Sequence, residues 1–512
     1  MPRSNPRWTL VVAVLGSSMA FLDGSLVNVA LPVIQRDLAL DMGRAQWVIE
    51  AYLLLLSSLV LVGGALGDRF GRKRVFLVGV VVFAVASAAC GLAPGSLALI
   101  AARAVQGVGG ALLVPGSLSL ISAAYPDAKE RGAAIGTWSA SSAIMTAGGP
   151  VAGGWVVAHA SWRWLFFVNV PIAVAAVTLV MAHVDETRDE KATGKVDLVG
   201  AALVTVSLGL IVAALLDAGS GAGIASPRVV AVLVAGAALL AAFVLVESGV
   251  HSPMVPLELF RSPSFLGANL LTLLLYGALG GGLFFLPFVL IQVQGYTPTA
   301  AGATLLPVVL LIAVMSRSFG ALAGRIGARP PLVAGPLVSA AGFALLALPS
   351  IGSSYWTTYF PGAIVLGVGM GITVAPLTAA VMGAVDPRHA GAASGINNAL
   401  ARAAGLLAVA ALGVVLVARF NAVLDERLAA MHLPSDIVTA IDAQRSKLAG
   451  ADLSSIADPA LRGALRRAID DAYLAGFRTL MFSCAGLSVL GAVAAFAFVG
   501  REPRGGSLVG RG

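Results

Sequence analysis

Charge is what this sequence has least of. Only 11% of its 512 residues are Asp, Glu, Lys or Arg, where a water-soluble domain carries about 25%. Histidine is equally sparse, and His159, His183, His251, His389 and His432 fall in loops or at the ends of apolar runs. No cluster of His, Asp, Glu or nucleophile-type residues therefore gathers at one depth, as an embedded enzyme would require. The two cysteines, Cys90 and Cys484, both lie inside apolar runs and make neither a disulfide framework nor a metal-ligand spacing. No Gly-x-x-x-x-Gly-Lys-Ser/Thr string occurs, and the only Gly-Lys pair, Gly194-Lys195, is followed by Val196, so ATP is not an evident energy source. The net charge of +8 does not point to nucleic acid, because the basic residues are spread over short loops without interleaved aromatics.

What is present instead is hydrocarbon. Hydrophobic residues make up 58% of the chain, an excess that no soluble core absorbs, and apolar runs of bilayer-crossing length recur from end to end. Read against charged and Pro/Gly breaks, they predict an all-α integral membrane protein with fourteen helices. These lie near 8–33, 45–66, 75–93, 96–124, 132–158, 164–184, 197–218, 228–247, 265–291, 299–320, 331–349, 357–384, 391–418 and 475–499. The first run, starting at Trp8, is too long for the apolar core of a signal peptide and is expected to stay attached as helix 1. An even count puts both termini on one side. The short loops of that side carry eighteen basic residues, among them Arg69, Arg72, Lys73 and Arg74, against four on the other, Arg36, Arg44, Arg163 and Arg228. That bias places both termini in the cytoplasm. The polar segment 419–474 is left out of the count as a long loop, expected outside with short helices of its own.

An internal repeat organises the runs. Gly64-Ala-Leu-Gly-Asp-Arg-Phe-Gly71 returns as Gly320-Ala-Leu-Ala-Gly-Arg-Ile-Gly327, and Gly132-Ala-Ala-Ile-Gly136 as Gly391-Ala-Ala-Ser-Gly395, at offsets of 256 and 259 residues. The echoes pair helices 2, 3 and 5 with helices 10, 11 and 13. Each repeat then holds six helices and runs in the same direction as the other, with helices 7 and 8 inserted between them. This predicts three parts: a six-helix bundle over 1–184, a linker pair over 185–264, and a second bundle over 265–512, with a substrate site between the bundles near the midplane.

Four motifs carry a resemblance to a known family. Gly64, Asp68, Arg69, Gly71, Arg72 and Lys73 form a glycine-punctuated, charged turn between helices 2 and 3, suited to capping helix ends or pairing across the two halves. This turn resembles the hallmark loop of the major facilitator superfamily. The stretch from Leu22-Asp23 to Pro32, including Asn28, resembles the helix 1 signature of its fourteen-helix drug:proton antiporters of the EmrB/QacA type. Arg103-Ala-Val-Gln106-Gly107 is similar to the basic motif of the proton-linked members, and Gly149, Pro150, Gly153 and Gly154 to the antiporter motif. Met145 stands where that motif usually begins with glycine, and Gly24-Ser25 departs from the usual helix 1 pattern. The resemblance implies a bacterial inner-membrane protein with this fold, using the proton motive force and no cofactor or metal, and acting as a monomer.

Ionisable residues inside apolar runs are the best candidates for function, since each costs at least ~2.5–3.5 kcal/mol at a helix centre. Asp23 reads as a proton and cation carrier, because a carboxyl removed from water favours its neutral form and a proton can then compete with a cationic substrate. It reads alternatively as an aspartate held by neighbouring backbone. Arg103 reads as the group that tunes a nearby carboxylate, or as a structural ion pair. Glu50 could select cationic substrates, as acids there do in relatives that accept dications, or could snorkel into the headgroups. Arg402 and Arg317 read as structural pairs or interfacial anchors. Pro150 and its glycines read as a kink or close-packing face, to which the resemblance adds sealing of the cavity. Asn28, Tyr52, Gln106, Ser141, Asn269, Asn397 and Asn398 are candidate polar cavity residues. The expected function is export of a lipophilic, cationic small molecule in exchange for protons by alternating access. Export of an endogenous metabolite, antibiotic or lipid, or proton-linked import, would fit the same fold.

Overall fold

The computed structural model describes residues 5–188, 197–219, 223–250, 253–386 and 390–500. The loop basics Arg3, Lys191, Lys195, Arg388, Arg501, Arg504 and Arg511, with His251 and His389, lie outside the described residues. Every regular element among the described residues is a helix. The fourteen long ones are α1 (Pro6–Asp37), α2 (Met42–Phe70), α3 (Arg72–Gly91), α4 (Ser96–Ala124), α5 (Ala128–His159), α6 (Trp164–His183) and α7 (Leu198–Asp217). They continue with α8 (Pro227–Gly249), α9 (Pro263–Val293), α10 (Pro298–Ile326), α11 (Arg329–Leu346), α12 (Tyr355–Gly383), α13 (Ala390–Met431) and α14 (Pro459–Phe498). Thirteen are long and apolar enough to cross a membrane. The exception, α5, has the length but is rich in Gly, Ser and Thr, and it packs along α1 and α10.

Local chemistry sets the ends. Asn5 accepts from the Arg7 amide with Pro6 in the first turn, Asp41 accepts from Arg44, and Asp458 accepts from Ala460, each supplying an acceptor for otherwise unpaired amides. Between α2 and α3 the chain reverses at Gly71, whose φ of 110° is open to glycine at little cost.

The packing follows the duplication. In the first six helices α4 lies between α2 and α3, and α1 runs beside α5. Among the last six, α12 lies between α10 and α11, and α9 beside α13. The main seams between the sets, α5 with α10 and α13 with α2, are the two contacts that the repeat maps onto each other. Helix α7 packs against both α2 and α13 through Leu208, Val212 and Leu216 on Leu54, Leu406 and Ala410, whereas α8 leans chiefly on α7.

The segment 419–474 differs from the expectation. Helix α13 continues to Met431 and α14 begins at Pro459, so both project beyond their apolar runs. Their charged faces hid this in the sequence, yet Phe420, Leu424 and Leu428 on one, and Leu465, Ile469 and Tyr473 on the other, keep a buried stripe at helical spacing. Between them a short helix (Ser435–Asp442) and a turn (Arg445–Gly450) fold down, held by Arg445 on Asp425 and Asp442.

Helices α4 and α2 approach so closely that only glycine fits at their crossing. A methyl group at Gly107 would lie 2.5 Å from the Tyr52 carbonyl, inside any tolerable contact. Gly107→Ala should therefore cost about 1–3 kcal/mol by overpacking. A thermal-unfolding measurement in detergent that found no lowered midpoint would contradict this packing.

Candidate functional site

Asp23 and Arg103 are both 0% exposed, and the guanidinium donates to the carboxylate from Nη1. Arg103 and Gln106 stand three apart on one face of α4. Arg103 Nη1 also donates to Gln106 Oε1 at 2.7 Å, and Nε donates to the Val48 carbonyl of α2 at 2.9 Å. Gln106 Nε2 donates to the other Asp23 oxygen at 2.9 Å and reaches Ser87 Oγ of α3 at 3.3 Å. Ser87 in turn donates to the Phe166 carbonyl at 2.8 Å and accepts from Asn169 of α6 at 3.0 Å. The guanidinium carbon sits 4.3 Å from the centre of the Tyr52 ring, a cation–π contact. Five helices thus close around one ion pair.

A cavity of about 280 Å³ lies beside this cluster, between the two sets of helices. Helix α1 presents Gly24, Ser25 and Asn28 to it, α2 presents Tyr52, α5 presents Thr146 and Pro150, and α9 and α10 present Leu283, Leu305, Val308 and Val309. Arg402 of α13 completes the wall. Of the residues expected in a cavity, Asn28 and Tyr52 are here. Gln106 belongs instead to the closed network, and Asp23 faces away from the cavity toward α4. Ser141 is half-buried on α5 outside this lining. Asn397 bonds Asn269 at 3.1 Å and Thr272 at 2.6 Å in the second bundle, and with Asn398 it borders a separate cavity of about 70 Å³.

Glu50 does not reach the headgroups, being 0% exposed with neither carboxylate oxygen hydrogen-bonded. It lies one turn from Gln46, which donates to the Val409 carbonyl of α13 at 3.1 Å, so it shares the face turned to the second bundle. The expected choice of cationic substrates rested on Asp23 and Glu50 meeting the cavity, and neither lines it. Arg402, read from sequence as a structural pair or anchor, has no ion pair or hydrogen bond to any described residue. Hydropathy and helical position gave no sign of that difference. Arg317 lies on the exposed side of α10.

The charged turn is a cap. Asp68 pairs with Arg72 at 2.8 Å, the Lys73 ammonium donates to the Val184 carbonyl at 2.6 Å, and Arg69 lies 5.3 Å from the Phe70 ring centre. Glu186 accepts from the Lys73 and Arg74 amides at 3.0 and 3.1 Å, a carboxylate on the positive end of α3. Sequence reading missed Glu186, which follows a helix with no cue that the chain returns to α3. Gly64 packs near Pro115 of α4.

The antiporter-like glycines form a seam. Side chains added at Gly149 and Gly153 would strike Ser25 and Leu26 of α1, and one at Gly154 would overlap the Pro298 carbonyl of α10. Gly302 of α10, unremarked in the sequence, is the reciprocal, since a side chain there would overlap the Pro150 carbonyl. Helices α5 and α10 therefore meet backbone to backbone at the end of the bundle that holds the α1–α2 loop. At the same end Gln292 donates to Gln35 at 2.9 Å, joining α9 to α1. Toward the opposite end Gly132, Gly136 and Ser139, one face of α5, are exposed.

A sequence profile of the Major Facilitator Superfamily matches residues 13–409. The chain is 37% identical to the multidrug resistance protein Stp of Mycobacterium tuberculosis over 82% of its own length and 78% of that protein. It is 34% identical to the tetracenomycin C resistance and export protein of Streptomyces glaucescens, covering 84% and 80% of the two chains. With the puromycin resistance protein of Streptomyces alboniger it shares 38% identity over 80% and 81%. In fold it is similar to a bacterial homolog of the human lysosomal transporter Spinster in an inward-facing, occupied conformation, with a TM-score of 0.67 at 16% identity over 96% and 97%.

A bulky side chain in the seam should force it apart. With spin labels at His159 and Tyr296, Gly302→Val is expected to lengthen the distance distribution across α5 and α10. An unchanged distribution would show that the backbone contact does not hold this end closed.

Proposed function

The chain belongs to the major facilitator superfamily, and we propose that it exports lipophilic small molecules in exchange for protons by alternating access, with Asp23 and Arg103 as the coupling pair. One observation carries the reading of the pair: a sealed ion pair and a substrate-sized cavity occupy different faces of the same helix, α1. Relatives whose names denote multidrug or antibiotic resistance support the exporter reading.

The steps are set by the contacts. A proton on Asp23 neutralises the carboxylate and leaves the Arg103 charge uncompensated in a site closed to solvent, an arrangement that costs several kcal/mol. Helix α1 can relieve that by shifting against α4. Its opposite surface, Ser25 and Leu26, is packed on the α5 glycines, which in turn form the seam with α10. Protonation is thereby linked mechanically to the seal, through packed elements that touch at each step. Energy is sufficient: an inward charge is worth ~2.3 kcal/mol per 100 mV and tenfold is ~1.36 kcal/mol, so one proton sustains roughly a 50-fold gradient.

The bias of basic loops supports placing both termini and the charged turn in the cytoplasm and the sealed end outside. In that orientation the conformation is inward-facing, and the small, polar, exposed face of α5 borders water rather than lipid. The division into six, two and six helices has the support of the symmetric pairing of seams. Helix α7 lies along the α2–α13 seam with α8 packed on it, outside that symmetry.

Asp23→Asn should abolish proton-driven efflux in everted vesicles. It should also lower stability by about 3–5 kcal/mol, because an unpaired buried guanidinium remains. The double variant Asp23→Asn/Arg103→Gln should recover much of the stability but not the protonophore-sensitive flux. Undiminished flux in the double variant would remove the pair from the coupling mechanism.

A further inference from the structure

The cavity holds one ionic group, and it is positive. Among the described residues lining it there is no Asp or Glu, while Arg402 stands in its wall without a counter-ion. A guanidinium in an apolar wall is costly unless something satisfies it. Arg103, fully buried, has Asp23, Gln106 and Val48, whereas Arg402, partly exposed to the cavity, has no equivalent set. Asn28 also lines the cavity, and its Oδ1, buried without a hydrogen-bond partner, can accept from a donor group but not from an anionic oxygen. The other polar side chains there are already engaged, Tyr52 with the Ala20 carbonyl at 3.2 Å and Ser25 with the Phe21 and Leu22 carbonyls at 3.1 and 2.9 Å. Thr146 donates to the Ser142 carbonyl at 2.9 Å, and the rest of the lining is apolar.

We propose that the transported compound carries an anionic oxygen group, a carboxylate, phenolate or sulfonate, on an apolar skeleton, and that Arg402 binds this group. This rests on the exporter reading and gives its site a substrate class. A planar guanidinium suits such an oxygen pair in a two-point hydrogen bond. A lipophilic cation would meet the same charge with no carboxylate in the lining to offset it. Exchange adds a consequence, because an anion leaving a cell that is negative inside moves with the electrical gradient. Its export should accelerate as that potential grows, and proton entry alone need not supply all the work.

The test uses two permanently charged probes on one aromatic skeleton, naphthalene-2-sulfonate and naphthyltrimethylammonium. Each is offered to everted vesicles containing the full chain, with and without a protonophore. The sulfonate should be taken up in a protonophore-sensitive way, and faster under an imposed potential of the cellular sense. Arg402→Gln should cut its initial rate at least about tenfold by raising KM, and Arg402→Lys should restore most of it, reflecting loss and return of a charge-assisted bond. Preferential uptake of the ammonium probe, or sulfonate uptake indifferent to Arg402→Gln, would overturn the substrate class while leaving an exporter. Absence of protonophore-sensitive uptake of either probe and of ethidium and puromycin would instead sink the exporter reading. Should Arg402→Gln fail to reach the membrane, equilibrium binding to the purified wild type decides: sulfonate bound and not displaced by the ammonium probe supports the assignment, and the reverse refutes it.

Discussion

An ion pair sealed from water, Asp23 against Arg103, is the constraint around which the first bundle is arranged. Removing two charges from water costs several kcal/mol per ion, and mutual attraction offsets that only with good geometry and further hydrogen bonds. The surroundings supply most of them, leaving Arg103 Nη2 without a hydrogen-bond partner. Gln106 bridges both partners, the Val48 carbonyl accepts from Nε, and the Tyr52 ring lies under the guanidinium. Each of these requires α4 to approach α2 and α1 closely, which Gly107 permits. The small residues of α4 and the polarity of its neighbours are thus one requirement seen from two sides.

Because that pair faces inward and the cavity lies on another side of α1, the proposed coupling runs through helix position rather than through direct competition at one carboxylate. The route is short. Helix α1 rests on glycines of α5, and α5 rests on α10 with no side chain between the backbones. Such a contact tolerates little intermediate displacement, so it is either made or broken, as a gate requires.

The cavity itself departs from what helix positions suggested. Asp23 inside helix 1, with Glu50 near the outer end of helix 2 as a candidate selector, pointed to a site for cations. Folding turns the first into the ion pair and the second toward the other bundle, and it leaves Arg402 facing the space between. Arg103 and Arg402 look alike in sequence, each a single arginine in an apolar run. One has a carboxylate across from it and the other, among the described residues, has not.

Much was legible without coordinates. Scarce charge and repeated apolar runs fixed an all-helical membrane protein, because the bilayer leaves backbone groups no other way to be satisfied. Helix ends were read to within six residues, apart from the extended α13 and α14. The repeat identified which helices are equivalent, but which of them meet was visible only in the packing. Gly302, Glu186 and the facing of Arg402 were not legible. A glycine matters only if a backbone passes against it, a carboxylate caps only the helix end that returns to it, and an arginine is paired only if the fold brings an acid. Those are distances between segments far apart in sequence, and tertiary structure alone sets them.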